Sequence, residues 1–304
     1  MAKIGIIGTG WVGASVAISL LHAGVARELL LADRRQEIAE GEAMDLAHGS
    51  SFYPAASVRA ASVAEMRDTD AVVIAAGRGG RPEETRLALL RDNAGTAREI
   101  GESLRGYRGL VVVVTNPVDV LTTVVRESAG LPPERVIGTG TMLDTARLRH
   151  AAGRELGLDP RSVHAQVVGE HGDSEVVLWS SAQAGGRALR EWPGWSAARE
   201  AAIAQEVRRA AYEIVARKGA TNHAIGLVTA ALLRWMLRGE RRVLTVSRVH
   251  DASLGLGDVA LSLPAVVGPE GATQVVLPAM VPAEEKALAA SARVIANALA
   301  QVKV

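Results

Sequence analysis

Cysteine is absent from the 304-residue sequence. Its absence excludes a disulfide framework, thiolate zinc sites and a cysteine nucleophile. A strong charge of either sign is also lacking, because 34 lysines and arginines stand against 33 aspartates and glutamates. A net charge near +1 gives no electrostatic reason to expect nucleic acid or a membrane surface as the main partner. We therefore expect a small-molecule ligand, and we expect no metal ion.

Long apolar runs are missing as well. Glycines at positions 5, 8 and 10 interrupt the apolar start of the sequence before it reaches the length of a signal-peptide core. No uninterrupted apolar stretch approaches the ~20 residues that a membrane helix needs. We therefore expect a cytoplasmic protein. The composition, 48% hydrophobic and 22% charged, is typical of globular chains with one large domain or two moderate ones.

The first half of the sequence alternates short apolar runs with helical stretches. We predict strands over residues 3–8, 28–33, 71–77, 110–116 and 136–140. Their centres are continuously apolar, which is typical of parallel strands covered by helices on both faces. Strands that alternate with helices predict an α/β fold with a doubly wound parallel sheet.

The second half has a different pattern, with longer helices predicted over residues 197–218 and 221–238. Strand-like runs follow at 242–247 and 259–267, and an amphipathic helix begins at Pro282. This mixture indicates an α+β architecture. We place the boundary between the two halves near residue 140 and expect them to pack tightly.

A glycine-rich turn, Gly8-Thr9-Gly10-Trp11-Val12-Gly13, follows the first predicted strand. Glycines let the backbone turn and approach a pyrophosphate, whose charge the N-terminus of the next helix stabilises. Asp33 stands 20 residues after Gly13, at the end of the second predicted strand. A carboxylate there accepts hydrogen bonds from the adenosine ribose and repels a 2′-phosphate. The combination favours NAD, although Arg34 and Arg35 leave NADP open.

We therefore predict a Rossmann-type NAD-binding domain over residues 1–140, followed by an α+β catalytic domain over residues 141–304. Three polar motifs accompany it: Asn116-Pro117-Val118-Asp119, Leu143-Asp144-Thr145-Ala146-Arg147 and Gly169-Glu170-His171-Gly172-Asp173-Ser174. With these motifs the chain resembles the lactate/malate dehydrogenase family, and above all its bacterial L-lactate dehydrogenases. The resemblance extends from the glycine turn to Leu261-Ser262-Leu263-Pro264.

The residue types suit the reaction that this resemblance implies. Reduction of a 2-oxo acid needs a hydride on C2 and a proton on the carbonyl oxygen, and a histidine such as His171 can supply and retrieve that proton near neutral pH. Asp144 would accept the other ring N–H and favour the imidazolium. Arg147 offers a planar fork for the substrate carboxylate, and Arg86 would polarise the carbonyl.

The sequence also allows simpler interpretations of these residues. Asp144 and Arg147, three positions apart on a predicted helix, would also make an ordinary surface ion pair. A lone histidine is more often structural than catalytic, and we expect a structural role for His22, His48, His150, His223 and His250.

The resemblance implies roles for further residues. It implies that the segment 78–90 is a mobile lid that carries Arg86 onto the substrate, and that Asn116 contacts both nicotinamide and substrate. It also places Gly77 and Thr139 in the cofactor site and Thr221 and Ile225 in the substrate pocket.

The sequence departs from the family at Gly80, where lactate dehydrogenases carry glutamine and malate dehydrogenases carry arginine. Either the pocket is enlarged and admits bulkier 2-oxo acids, or the lid is shifted and Arg78 or Arg81 binds a second carboxylate. The run around Thr221 and Ile225 favours a monocarboxylate. A malate dehydrogenase and a catalytically silent NAD-binding sensor remain alternatives.

Arg149 and His164 match the pair with which many bacterial L-lactate dehydrogenases bind fructose 1,6-bisphosphate across a subunit interface. Arginine and histidinium are suited to phosphate, although either residue could simply lie on the surface. The resemblance thus implies an allosteric effector site and a homotetramer, or at least a homodimer.

Overall fold

The structure is a computed structural model that describes residues 2–79, 85–251 and 254–302. Within these ranges the first half of the chain gives six strands of one sheet: β1 (Ala2–Ile7), β2 (Ala26–Ala32), β3 (Ser57–Ala60), β4 (Ala71–Ile74), β5 (Leu110–Val113) and β6 (Val136–Gly138). They run parallel in the order β3-β2-β1-β4-β5-β6. The order reverses between β1 and β4, which is the Rossmann arrangement, so the predicted fold class is confirmed.

Helices cover both faces of this sheet. The α-helices are α1 (Trp11–His22), α2 (Gln36–His48), α3 (Arg86–Ser103), α4 (Val118–Ala129), α5 (Met142–Leu156), α6 (Ala197–Lys218), α7 (His223–Leu237) and α8 (Pro282–Ala300). Side chains of α1, α2 and α7 form one buried cluster with the sheet, and those of α3, α4 and α8 form another. Among the described residues, no helix is long and apolar enough to cross a membrane.

Strand β5 shows why the strands are continuously apolar. Val111 and Val113 pack into the cluster that contains α3 and α4, whereas Val112 and Val114 pack into the cluster that contains α1 and α7. Successive side chains of a strand point to opposite faces. A strand covered on both faces therefore needs an apolar side chain at every position.

The second half adds the strands β7 (Val163–His164), β8 (Val167–Val168), β9 (Val176–Val177), β10 (Gln183–Ala184), β11 (Arg187–Ala188), β12 (Arg242–Val249), β13 (Ala260–Gly268) and β14 (Gly271–Val275). β12 pairs antiparallel with β6 through Ser247 and Gly138, and β13 and β14 continue the same sheet. Helices α5 and α6 and the short strands enclose a separate apolar cluster. One sheet thus runs through both halves, and the domain boundary near residue 140 stays a prediction.

Two strands end three residues earlier than the sequence predicted, at Ile74 instead of residue 77 and at Val113 instead of residue 116. Beyond these points side chains take over the backbone hydrogen bonds. Thr115 Oγ1 donates to Ala76 O at 2.8 Å, and Arg78 N donates to Asn93 Oδ1 at 3.0 Å. The two segments leave the ladder here and form loops at the edge of the sheet.

Candidate active site

The predicted cofactor residues lie at one edge of the parallel sheet. The glycine turn follows β1, Asp33 follows β2, Gly77 lies beyond β4, Asn116 beyond β5, and Thr139 directly after β6. The carboxyl ends of parallel strands share an edge, and doubly wound sheets bind their ligands in the crevice outside it. The fold thus brings these residues, which are distant in sequence, to one crevice.

The glycine turn is shaped for a close approach of backbone and ligand. Gly8 has φ +95°, and a Cβ at this position would lie 2.4 Å from Ala76 N. A Cβ on Gly13 would lie 1.9 Å from Gly8 O, whereas a Cβ on Gly10 would meet nothing within 4 Å. Helix α1 begins here without a side-chain cap among the described residues. Its first N–H groups are therefore available to a pyrophosphate.

Asp33 is fixed beside this turn by three hydrogen bonds. Its Oδ2 accepts from Thr9 N at 2.9 Å and from Thr9 Oγ1 at 3.2 Å, and its Oδ1 accepts from Arg35 N at 3.1 Å. A carboxylate offers about four acceptor positions, so one remains for a ribose hydroxyl. The residues present fit an NAD molecule with its pyrophosphate at α1 and its adenosine ribose at Asp33.

A cluster of charged side chains is built from three separate segments. Asp144, in the first turn of α5, accepts from His171 Nδ1 at 2.5 Å through Oδ2 and from Arg147 Nη1 at 2.8 Å through Oδ1. Asp144 is only 2% exposed. Because Asp144 is buried and Arg147 is partly buried, the alternative of a surface ion pair does not describe this contact.

The loop that carries His171 runs between β8 and β9 and is fixed from two sides. His171 N donates to Asp119 Oδ2 at 2.7 Å, and Gly169 forms a bridge with Ser262 on β13. Asp119 is buried in the first turn of α4. Asp119 belongs to the motif Asn116-Pro117-Val118-Asp119, but the sequence indicated no role for it. Its place in this motif, directly after a predicted strand, was the available signal.

The charge states of the cluster follow from its contacts. Burial acts to lower the pKa of His171, but the negative charge of Asp144 and the hydrogen bond to it raise the pKa to about 9. Burial acts to raise the pKa of Asp144, but the charge of His171 outweighs it and holds that pKa below its usual value. The arrangement therefore keeps a proton on His171 near neutral pH, with Nδ1 directed to Asp144 and Nε2 left for a substrate.

The predicted substrate residues Thr221 and Ile225 lie at the start of α7, which packs against α1, the helix that follows the glycine turn. Thr221 stands just before α7, and Ile225 packs against the same apolar cluster as Val12. A Cβ on Gly226 would lie 2.5 Å from Ser15 O, so α7 and α1 approach each other closely. This contact brings the substrate side of the site to the start of α1.

Two family models together match almost the whole chain. Residues 2–138 match the family model described as the lactate/malate dehydrogenase NAD binding domain, and residues 141–304 match its alpha/beta C-terminal domain. The chain belongs to the lactate/malate dehydrogenase family. It is an NAD-dependent 2-hydroxy-acid dehydrogenase, and NAD is its cofactor. The silent sensor is therefore not supported.

Relatives and solved structures agree with this family. An L-lactate dehydrogenase of Salinibacter ruber is 44% identical over 308 residues, covering 99% of this chain and 98% of the relative. One of Fervidobacterium nodosum is 43% identical over 312 residues, covering 99% and 98%. The crystal structure of a minor L-lactate dehydrogenase from Enterococcus mundtii in its ligand-bound form is similar with a TM-score of 0.96 and 38% identity, covering 99% of this chain and 98% of that one.

The family's lid region is described only at its ends. Gly80 and Arg81 lie outside the described residues, and so does the side chain of Arg86, whose backbone begins α3. Arg78 is described, and its Nε and Nη2 donate to Asp92 Oδ2 on α3 at 3.0 and 2.6 Å. Its guanidinium thus binds a carboxylate of this chain.

Arg149 and His164 resemble a dehydrogenase effector site, and the structure shows a contact of Arg149 with the backbone beside His164. Arg149 on α5 donates through Nε to Ala165 O at 3.0 Å, and Ala165 directly follows the exposed His164 of β7. Arg149 thus binds the segment that carries His164, and the role of the two residues in binding an effector stays a prediction.

Proposed function

We propose that this dehydrogenase interconverts pyruvate, or a similar 2-oxo monocarboxylic acid, and the corresponding L-2-hydroxy acid. The observation that carries the proposal is the chain of contacts from Arg147 through the buried Asp144 to His171. It combines a carboxylate-binding cation with a proton donor in one cluster. The L-lactate dehydrogenases that cover almost the whole chain support the same substrate class.

Different residues bind the substrate, polarise its carbonyl and transfer the proton. Bound NADH supplies the hydride that is added to C2 of the 2-oxo acid. Arg147 binds the substrate carboxylate with its guanidinium fork. His171 donates the proton on Nε2 to the carbonyl oxygen, and Asp144 stabilises the imidazolium before the transfer. Arg86, by its resemblance to the family's lid arginine, polarises the carbonyl. In the oxidation of the hydroxy acid His171 takes the proton back.

The preference for a monocarboxylate rests partly on Arg78. A dicarboxylate needs a second cation in the pocket, and the sequence offered Arg78 or Arg81 for that role. Because Arg78 binds Asp92 through two of its nitrogens, its recruitment by a substrate would cost that ion pair. This contact supports pyruvate-like substrates over oxaloacetate.

The test follows NADH oxidation with pyruvate, oxaloacetate, 2-oxobutyrate and a branched 2-oxo acid. We expect the highest kcat/KM for a monocarboxylate, and Arg147→Lys should raise its KM because a point charge does not replace the paired hydrogen bonds. Gly80→Arg should shift the preference toward oxaloacetate by roughly 10- to 100-fold, the value of a desolvated charge-assisted hydrogen bond. A parent enzyme that prefers oxaloacetate would contradict the proposal and favour malate dehydrogenase activity.

We also propose that fructose 1,6-bisphosphate binds Arg149 and His164 and lowers the KM for substrate, and that the enzyme is a homotetramer in the cytoplasm. The hydrogen bond from Arg149 to the backbone of Ala165, the residue after His164, supports the site. Titration of the sugar bisphosphate into the parent and into His164→Ala tests the effector, and sedimentation velocity tests the assembly. An unchanged KM and an unchanged melting temperature in the parent would contradict the effector site.

A further inference from the structure

Glu175 directly follows the motif that contains His171, and no role has yet been given to it. It is only 6% exposed, and its backbone N–H donates to Gly172 O at 3.2 Å. Within the described part of the chain, its Oε1 has no hydrogen-bond partner. Buried polar atoms in folded proteins nearly always have a partner, so an unpartnered carboxyl oxygen beside the catalytic loop requires an explanation.

The charges around Glu175 belong to the active site itself. Asp144 and Arg147 face it from α5, His171 from its own loop and Arg208 from α6. The side chain of Arg208 is half-buried, and its Nε also has no hydrogen-bond partner among the described residues. Glu175 thus stands among the groups that are proposed to bind the substrate and move the proton.

Two hydrogen-bonded contacts connect the segments around Glu175 to helices α6 and α8. Tyr212 OH on α6 donates to Asp173 Oδ1 at 3.1 Å and ties the helix to the catalytic loop. On the side of α8, which packs on β9, both carboxylate oxygens of Glu284 are bound to Ser180. Glu284 is therefore held by its own partners, and the charges that act on Glu175 are those of α5, α6 and the loop.

Burial, and secondarily the negative charge of Asp144, raise the pKa of Glu175 to about 8. The carboxyl is therefore mostly protonated at neutral pH. An uncharged Glu175 leaves the positive charges of Arg147 and Arg208 available to an anion.

We propose that Glu175 is a positioning residue of the substrate pocket, and that its neutral carboxyl is required for an anionic 2-oxo acid to bind at Arg147. This inference rests on the proposed function. An ionised Glu175 would repel the substrate carboxylate and compete for the guanidinium of Arg147, and both effects are strong in a site of low dielectric constant. Glu175 acts through Arg147 and moves no proton in the reaction.

The first test measures KM for pyruvate from pH 7 to pH 9 in the parent and in Glu175→Gln, which keeps the size of the neutral acid. With a pKa of about 8, roughly ten of eleven Glu175 carboxyls are protonated at pH 7 and roughly one of eleven at pH 9. The ratio of KM at pH 9 to KM at pH 7 should therefore be up to about tenfold larger in the parent than in Glu175→Gln. Loss of the His171 proton also raises KM. Because an ionised Glu175 stabilises the imidazolium of His171, this loss comes no earlier in the parent than in the variant and does not produce the larger rise expected for the parent.

The matched control is Glu200→Gln. Glu200 is similarly buried, on α6, but its carboxylate accepts from Arg190 at 2.8 Å and from Trp195 at 3.1 Å, and these two residues are the groups that act on its pKa. Its substitution should leave the pH dependence of KM unchanged. If the parent and Glu175→Gln have the same KM ratio, or if Glu200→Gln flattens it as well, the proposal is overturned.

A second measurement separates this proposal from the proposed function. Difference infrared spectroscopy of the parent between pH 7 and pH 10 should show a protonated carboxylic acid that ionises in this range and is missing in Glu175→Gln. This result would support the neutral Glu175 even if no 2-oxo acid were turned over, in which case only the substrate assignment fails. The absence of that band at pH 7 in the parent would overturn the inference, whatever the activity and whether or not the variant folds.

Discussion

His171 is partly buried and His250 fully buried, and their surroundings give the two histidines opposite charge states. His171 lies in the loop between β8 and β9 and donates through Nδ1 to the carboxylate of Asp144. His250 lies just beyond β12, donates through Nε2 to Leu261 O at 3.0 Å, and has no partner for Nδ1 among the described residues. The pKa of His171 is raised to about 9, whereas burial lowers that of His250 to about 4.

The comparison shows what makes a buried histidine a proton donor. Burial disfavours the imidazolium in both places, and only a neighbouring carboxylate reverses the effect. A backbone carbonyl accepts one N–H but supplies no negative charge, and a protonated His250 would carry a second N–H without an acceptor. His171 is therefore prepared to donate a proton, and His250 is held neutral.

The largest expected effect comes from removing the donor itself. His171→Asn should lower turnover of the 2-oxo acid by ~10² to 10⁴, the usual contribution of a positioned general acid. NADH binding, followed by fluorescence titration, should be preserved because His171 lies outside the glycine turn. Near-normal turnover would remove His171 from its proposed role.

Asp144→Asn makes the surroundings of His171 more like those of His250. Without the carboxylate, burial should hold the pKa of His171 below 6.5, and the ring should lose its orientation, so kcat/KM at pH 7 should fall roughly 10²-fold. Reduction of the 2-oxo acid needs protonated His171, so the parent should lose this activity as pH rises through about 9. In the variant the loss should begin at a lower pH, and an unshifted pH profile would contradict the role of Asp144.

His250 should affect stability instead of activity. Its pKa is about 4 in the folded protein and 6.5 in the unfolded chain, so below pH 6.5 the unfolded chain binds the proton first and stability falls until about pH 4. The loss should reach about 3 kcal/mol in the free energy of unfolding. His250→Gln keeps a donor for Leu261 O and does not titrate, so its urea midpoint should fall less between pH 7 and pH 4. Equal losses in both proteins would refute this explanation.

The smallest effect is expected from Asp119→Asn. The charge of Asp119 contributes to the raised pKa of His171 after that of Asp144, and an amide oxygen can still accept from His171 N. The alkaline limb of the pH profile should move down by less than ~1 pH unit, with kcat reduced less than about tenfold. A loss as large as that of Asp144→Asn would mean that Asp119 mainly fixes the loop.

The cofactor residues at the edge of the sheet could be predicted from the sequence in more detail than the contacts among His171, Asp144 and Arg147. The positions of Gly8, Gly13 and Asp33 follow from the order of strand, turn and helix, because each residue acts within one local βα unit. The strand ends at Ile74 and Val113 were predicted too far along the chain. Thr115 and Asn93 end these ladders by binding backbone from other segments, and a local pattern does not contain such contacts.

The sequence by itself determined the doubly wound sheet, the glycine turn and the residue types of the site, since apolar periodicity and short motifs express local backbone preferences. The tertiary structure alone decided the charge states of His171, His250 and Glu175. His171 meets Asp119 across 52 positions of sequence, and its ring meets Asp144 across 27. Burial and Coulomb interactions depend on distance in space, so only the folded chain makes His171 a proton donor, keeps His250 neutral and raises the pKa of Glu175.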